Sequence, residues 1–157
     1  MEPEKIRAEL YKAVNGPNAW QSLGHLMLRL RKENPETVTR ALIGVFFDES
    51  RTETSFKDQQ AAGGILWKLK PKYKGNLRDD IRSSLKNWNV SVEELPWYFA
   101  EIMGIDRVRD EVNSILRETL DEISRKKAQT YLYWLPAKGT EGLKIQLNQI
   151  WNGRLRG

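Results

Sequence analysis

The chain contains no cysteine and a single histidine, His25. A chain without cysteine has no disulfide and no thiol nucleophile, and the usual zinc sites need Cys or several His residues. The sequence also lacks a P-loop, a dinucleotide-binding fingerprint and an EF-hand loop. We therefore expect no enzyme activity, no cofactor and no metal site.

Long apolar runs are also missing, since none approaches the ~20 residues that a membrane-spanning helix needs. Met1 is followed by the charged stretch EPEKIRAE rather than by the apolar core of a signal peptide. We therefore expect a cytoplasmic protein that does not enter a membrane. At 157 residues the chain is long enough to bury a sound core, and we expect residues 1–157 to form a single domain.

Charge of one sign is only modestly in excess. The chain has 26 Lys and Arg against 21 Asp and Glu, which gives a formal charge of +5. A mildly basic surface attracts acidic proteins or nucleic acid without choosing between them.

Apolar residues at helical spacing are present along almost the whole chain. Val38, Leu42 and Val45 follow the helix start Asn34-Pro35, for example, and no alternating run is available for a sheet. This spacing predicts an all-α fold of about nine short amphipathic helices stacked as antiparallel pairs, the last opening at Thr140. The residues that the stripes place in the core include Leu42, Leu66, Leu85, Ile115, Trp20, Trp88 and Trp151.

Trp67, Trp97 and Trp134 lie off the clearest apolar stripes. Tryptophan is enriched at binding hot spots, so each of these three is a candidate for an exposed contact residue.

Two parts of the sequence resemble the HEAT-type helical repeat. In the first, ALIGVFFDES with its loop residue Asp48 precedes QQAAGGILWKL with its alanine pair Ala61 and Ala62. LPWYFAEIMG followed by IDRVRDEV is a second echo, so the resemblance covers about residues 35–125. It implies a HEAT-like α-α superhelix, a curved stack whose concave surface binds proteins or nucleic acid without inherent catalysis. An irregular helical bundle is the structural alternative.

The stretch LWKLKPKYKGNLR, residues 66–78, places lysines between apolar residues. Leu69 continues a helical stripe and Pro71 disfavours helical geometry at Lys70, so we expect a helix to end there. Asn76 is a good cap for the next helix. The candidate binding surface comprises Trp67, Lys68, Lys70, Lys72, Tyr73, Lys74, Arg78 and Arg82.

Two functions are weighed for this surface. The first is a non-catalytic protein-binding module, in the manner of a bacterial immunity or antitoxin-like protein that occludes a partner. The alternative is a basic nucleic-acid-binding module, in which Trp67 and Tyr73 stack on bases. Asp79 and Asp80 interrupt the basic patch and weigh against the alternative. A solvated helix end without function is the plainest interpretation of these lysines.

A third function, ranked last, is that of an enzyme. Some helical-repeat proteins of this kind remove damaged DNA bases with an acidic residue and aromatics in a cleft. No such pocket can be assigned to positions in this sequence.

Overall fold

The computed structural model describes residues 1–135. Within them the chain forms α-helices joined by short turns and contains no β-strand, so the predicted all-α fold is confirmed. The eight helices are α1 (Pro3–Val14), α2 (Ala19–Leu30), α3 (Pro35–Gly44), α4 (Ser55–Leu69), α5 (Leu77–Ser84), α6 (Glu94–Met103), α7 (Ile105–Leu116) and α8 (Glu122–Trp134). A 3-10 turn, Val45–Phe47, extends α3. The predicted ninth helix from Thr140 lies outside the described residues, as does Trp151.

Asparagine and aspartate side chains start several of the helices. The side-chain oxygen of Asn34 accepts the N–H of Glu36 at 2.9 Å. Asn76 accepts the N–H of Asp79 at 3.0 Å, as predicted for the start of α5. The first N–H groups of a helix have no partner within it, so these contacts determine where each helix begins.

Most helices contact a helix next to them or two places away in the chain, and α1 also contacts α4. Helix α1 packs on α2, α3 and α4, and α6 packs on α7, which packs on α8. Helices two places apart also meet, namely α1 with α3, α2 with α4, α4 with α6, α5 with α7 and α6 with α8. Helices α2 and α8 therefore lie at opposite ends of the described stack, whereas α4 lies in its middle.

The predicted core residues Leu42, Leu66, Leu85 and Ile115 are all buried, which confirms the stripes that contain them. Trp88 is buried too, with its ring centroid 4.6 Å from that of Tyr131. Its indole N–H donates to the carbonyl of Val92 at 3.0 Å.

The glycine pair in α4 marks a close approach between helices. A Cβ at Gly63 would lie 3.1 Å from a methyl carbon of Val92 and 3.2 Å from the Cβ of Glu94. Helix α4 runs through the pair without a break. Gly63 is thus explained by a neighbouring segment that packs against the helix.

Apolar residues at helical spacing continue past α7 through Leu120 and Ile123, but α7 ends at Leu116. The Asp121 carboxylate accepts the N–H of Ser124 at 2.7 Å and starts α8 at Glu122, so Ile123 belongs to α8 and is exposed. No helix in residues 1–135 is both long and apolar enough to cross a membrane.

Candidate functional site

Helix α4 ends at the position that the sequence predicts. Lys70 follows Leu69 in a left-handed conformation, with φ of 47°, and Pro71 prevents the helix from continuing. The Lys70 ammonium donates to the carbonyl of Trp67 at 2.7 Å and lies 4.0 Å from the centre of the Trp67 ring. This lysine is therefore held against its own helix.

The two aromatic residues of the candidate surface lie in the interior, which corrects the expectation that they stack on bases. Trp67 is 2% exposed and packs edge to face on Trp97, with ring centroids 6.3 Å apart. Tyr73 is 8% exposed and packs in the same way on Phe99 at 5.6 Å. Neither ring presents a free face to a ligand.

The hydroxyl of Tyr73 donates to the carboxylate of Asp80, which also binds Arg40. Burial and the hydrogen bond to Asp80 raise the pKa of Tyr73 above its ordinary range. Asp80 is therefore an internal anchor and not a negative charge on the surface.

The two arginines of the candidate surface are tied to a carboxylate from a distant part of the chain. Arg78 and Arg82 both bind Glu118, with an Arg82 Nε to Glu118 Oε2 distance of 3.0 Å. Hydrogen bonds from Arg78 and then Arg82 lower the pKa of Glu118. The positive charge of these arginines is thus partly compensated.

Lys68, in the last turn of α4, and Lys72 and Lys74, in the loop before α5, remain exposed. We call these three residues the lysine surface. Lys72 and Lys74 form no ion pair with any residue in the described range 1–135. The structure therefore separates the predicted patch into buried aromatics, compensated arginines, exposed lysines and Lys70, which is held against Trp67.

Trp20 and Trp97 also differ from the sequence prediction, whereas Trp88 agrees with it. Trp20, expected in the core, is 60% exposed, because it lies on the flank of α2 that no other described helix covers. Trp97 is buried and donates its indole N–H to the carbonyl of Trp134 at 3.0 Å. Trp134 is half-buried. A second apolar ridge on α2, formed by Trp20 and Leu28 beside the buried stripe, was the signal that sequence reasoning missed.

A polar cluster links the end of α1 to the loop before α4. The Tyr11 hydroxyl donates to Asp48 at 2.8 Å, and the guanidinium of Arg51 lies 4.1 Å from the Tyr11 ring centre. Arg51 and Asn15 bind the buried carboxylate of Asp58 at 3.1 and 3.2 Å. Burial, together with the hydrogen bond to Asp48, raises the pKa of Tyr11, so its hydroxyl stays protonated. The cluster holds the loop in place and offers no activated nucleophile.

His25 lies on the exposed face of α2. In the described part of the chain, no three His, Asp or Glu side chains come together in a way that could hold a metal ion.

A depression of about 580 Å³ lies between the start of α1 and the end of α3. Glu4, Arg7 and Asp48 are among the residues that line it, so charges of both signs face it. A second depression, of about 330 Å³, is lined by Arg78, Arg107 and Glu111. Neither depression presents one sign of charge or a set of groups suited to acid–base chemistry.

Comparison of the chain with models of protein families, with curated proteins and with solved structures gives no match in any of the three.

Proposed function

We propose that this chain is a non-catalytic protein-binding module that meets an acidic partner with the lysine surface. The observation that carries the proposal is the exposure of Lys68, Lys72 and Lys74, which lie close together in the sequence at the end of α4 and in the loop that follows. Lysines that keep their charge in water attract a carboxylate-rich surface and accelerate the encounter with it. The formal charge of +5 on the whole chain adds to that attraction.

The order of helix contacts supports a HEAT-like stack as the scaffold. In a helical repeat, each unit contacts its neighbours, so helices two places apart meet along the stack. The contacts of α2 with α4, α4 with α6 and α6 with α8 follow that order, whereas the contact of α1 with α4 departs from it. A stack of this kind offers an extended surface to another protein.

A bacterial immunity or antitoxin-like role, in which the chain occludes a site on its partner, is the finer form of the proposal. The tight packing behind the lysine surface supports it. Tyr73 is fixed by Phe99 and Asp80, and Trp67 by Trp97 and Lys70. A preorganised surface loses little conformational entropy on binding, which favours tight occlusion.

A protein partner is favoured over nucleic acid by the burial of the two aromatics. Binding of single strands relies on exposed rings on which bases stack, and Trp67 and Tyr73 are inside. Arg78 and Arg82 are held by Glu118, whose carboxylate would repel phosphates nearby. Nucleic acid would have to bind through the lysines alone.

The experiment compares two double charge reversals of equal size. Lys72→Glu with Lys74→Glu changes the lysine surface, and Lys5→Glu with Lys12→Glu changes exposed lysines of α1 by the same amount. The tagged wild-type chain is used to isolate a partner from its native cell extract, and each variant is then tested against that purified partner.

We expect the partner to be lost by the first variant and retained by the second. Equal binding by both variants, or isolation of material that nuclease removes, contradicts the proposal. Circular dichroism of each variant confirms that the helices are intact.

A further inference from the structure

Helix α2 carries an apolar ridge that no other described helix covers. Trp20, Gly24 and Leu28 follow one another at intervals of four residues, so they lie along one flank of the helix. Trp20 is 60% exposed and Leu28 is 57% exposed. A Cβ at Gly24 would have no neighbouring atom within 4 Å, so the ridge is open at its centre.

This ridge is complementary to itself. We propose that α2 packs antiparallel against α2 of a second copy of the chain, with the two helices crossing at Gly24. In this register Trp20 of each copy packs on Leu28 of the other, which is the reciprocal contact that two-fold symmetry requires. Gly24 leaves open space at the crossing point, where position 24 of one copy faces position 24 of the other. The proposal uses residues outside the lysine surface and goes beyond the proposed function.

The charges around the ridge favour a second copy as its occupant. The sequence AWQSLGHLML, residues 19–28, contains no Asp, Glu, Lys or Arg. Arg29, which binds Glu9, faces Ala19 of the other copy in the antiparallel register, and Arg31 and Lys32 lie past the end of α2. Two chains that each carry +5 can therefore meet here without placing like charges opposite one another.

The size of the ridge limits the strength of the dimer. A helix of 12 residues is about 18 Å long, and each copy contributes one such helix. Interfaces below ~1,200 Å² in total belong to weak, reversible complexes. An exposed tryptophan at such a contact is a typical hot spot, so Trp20 should contribute most of the binding energy. We expect a dimer that forms from ~10 µM to ~1 mM and dissociates on dilution.

The chain contains no cysteine, so Gly24→Cys introduces its single thiol. Any disulfide that forms between two copies of this variant therefore joins position 24 of both. Two cysteines can be joined only when their Cα atoms lie about 4.4–6.8 Å apart. Under mild oxidation at high protein concentration, Gly24→Cys should form a covalent dimer. Gln129→Cys, on the exposed face of α8 at the other end of the stack, should stay monomeric.

Two further measurements decide the case. Trp20→Ala, introduced together with Gly24→Cys, should reduce the covalent dimer several-fold. Light scattering of the wild-type chain should show a mass that rises from 18.3 kDa toward twice that value with concentration.

A wild-type mass of one chain at every concentration overturns the proposal. So does equal crosslinking of Gly24→Cys and Gln129→Cys, or crosslinking that Trp20→Ala leaves unchanged. Circular dichroism is used to verify that each variant keeps its helices.

Discussion

Arg40 on α3 binds Asp80 on α5 at two points, with an Nη1 to Oδ1 distance of 3.1 Å. Asp80 is buried, whereas the side chain of Arg40 is 38% exposed. The same carboxylate accepts the hydroxyl of Tyr73. This arrangement fastens the loop that carries Lys72 and Lys74 to the body of the protein.

Asp80→Asn should therefore destabilise the chain by about 2–3 kcal/mol, since it removes the charged acceptor that the buried Tyr73 hydroxyl and the partly exposed Arg40 guanidinium share. We expect less than the full cost of breaking a buried ion pair, because water reaches Arg40. The neighbouring Asp79→Asn is the matched control. Asp79 is exposed, and its ion pair with Arg82 is long at 3.9 Å. Its cost should stay below ~1 kcal/mol. Equal urea midpoints for the two variants would show that Asp80 is no anchor.

Lys70 should respond to glycine in the opposite way from its neighbour Lys68. Lys70 is left-handed, with φ of 47°, and glycine accepts that conformation without the Cβ clash. Lys70→Gly should therefore be more stable than Lys70→Ala by about 1 kcal/mol. At Lys68, inside α4, alanine should be the better residue by about 1 kcal/mol. Thermal unfolding of the four variants shows whether the glycine or the alanine variant is the more stable at each position. If the same residue type were the more stable at both positions, Lys70 would not have the left-handed conformation.

Gly24 and Gly63 provide a second contrast. Alanine at Gly24 meets open space and raises helix propensity, so Gly24→Ala should stabilise the chain by about 0.5–1 kcal/mol at low protein concentration. At Gly63 the added methyl group would press on Val92 and Glu94 at 3.1 and 3.2 Å, so this crowding should offset the gain in helix propensity and leave Gly63→Ala less stable than Gly24→Ala by about 1 kcal/mol or more. Urea unfolding measures both changes. Equal stabilisation by the two variants would mean that α4 and its neighbour are not in close contact.

Glu118 should contribute to the acid sensitivity of the fold. Hydrogen bonds from Arg78 and Arg82 lower the pKa of Glu118 in the folded state. Its contribution to the stability of the fold is therefore complete above the unfolded pKa near ~4.3, and it is lost as the pH falls through the folded pKa. Glu118→Gln should thus lower the urea midpoint at pH 6 and have less effect at pH 3. The exposed Glu53, which forms no ion pair within residues 1–135, is the control. If the difference in urea midpoint between wild type and Glu118→Gln does not become smaller at low pH, this role of Glu118 is contradicted.

Local features of the fold follow from the sequence because they depend on near neighbours. Asn34 and Asn76 cap α3 and α5 as predicted, since a cap bonds to N–H groups two or three residues away. The end of α4 before Pro71 was predicted for the same reason. The pairing of Arg78 and Arg82 with Glu118 joins residues that lie far apart in the sequence, so it required the fold.

Two tryptophans differ from the sequence prediction in opposite ways. Trp20 was predicted in the core and is exposed, whereas Trp67 was a candidate for an exposed contact residue and is buried. Trp20 fits an apolar stripe, but α2 lies at the end of the described stack and one of its flanks stays uncovered. Trp67 lies off its stripe, yet α4 is surrounded by α1, α2, α3 and α6, so even an off-stripe side chain is buried. Periodicity identifies the apolar side of a helix, whereas the number of neighbours determines how much of its circumference is covered.

The most direct test of the lysine surface is the rate at which the isolated partner associates with the wild-type chain and with the two double reversals over a range of salt concentrations. At low salt, Lys72→Glu with Lys74→Glu should slow association by about tenfold or more, whereas Lys5→Glu with Lys12→Glu should have a much smaller effect. The difference should shrink as salt screens the charges. Association rates that are the same for wild type and for the Lys72 and Lys74 reversal at low salt would contradict the proposed binding surface.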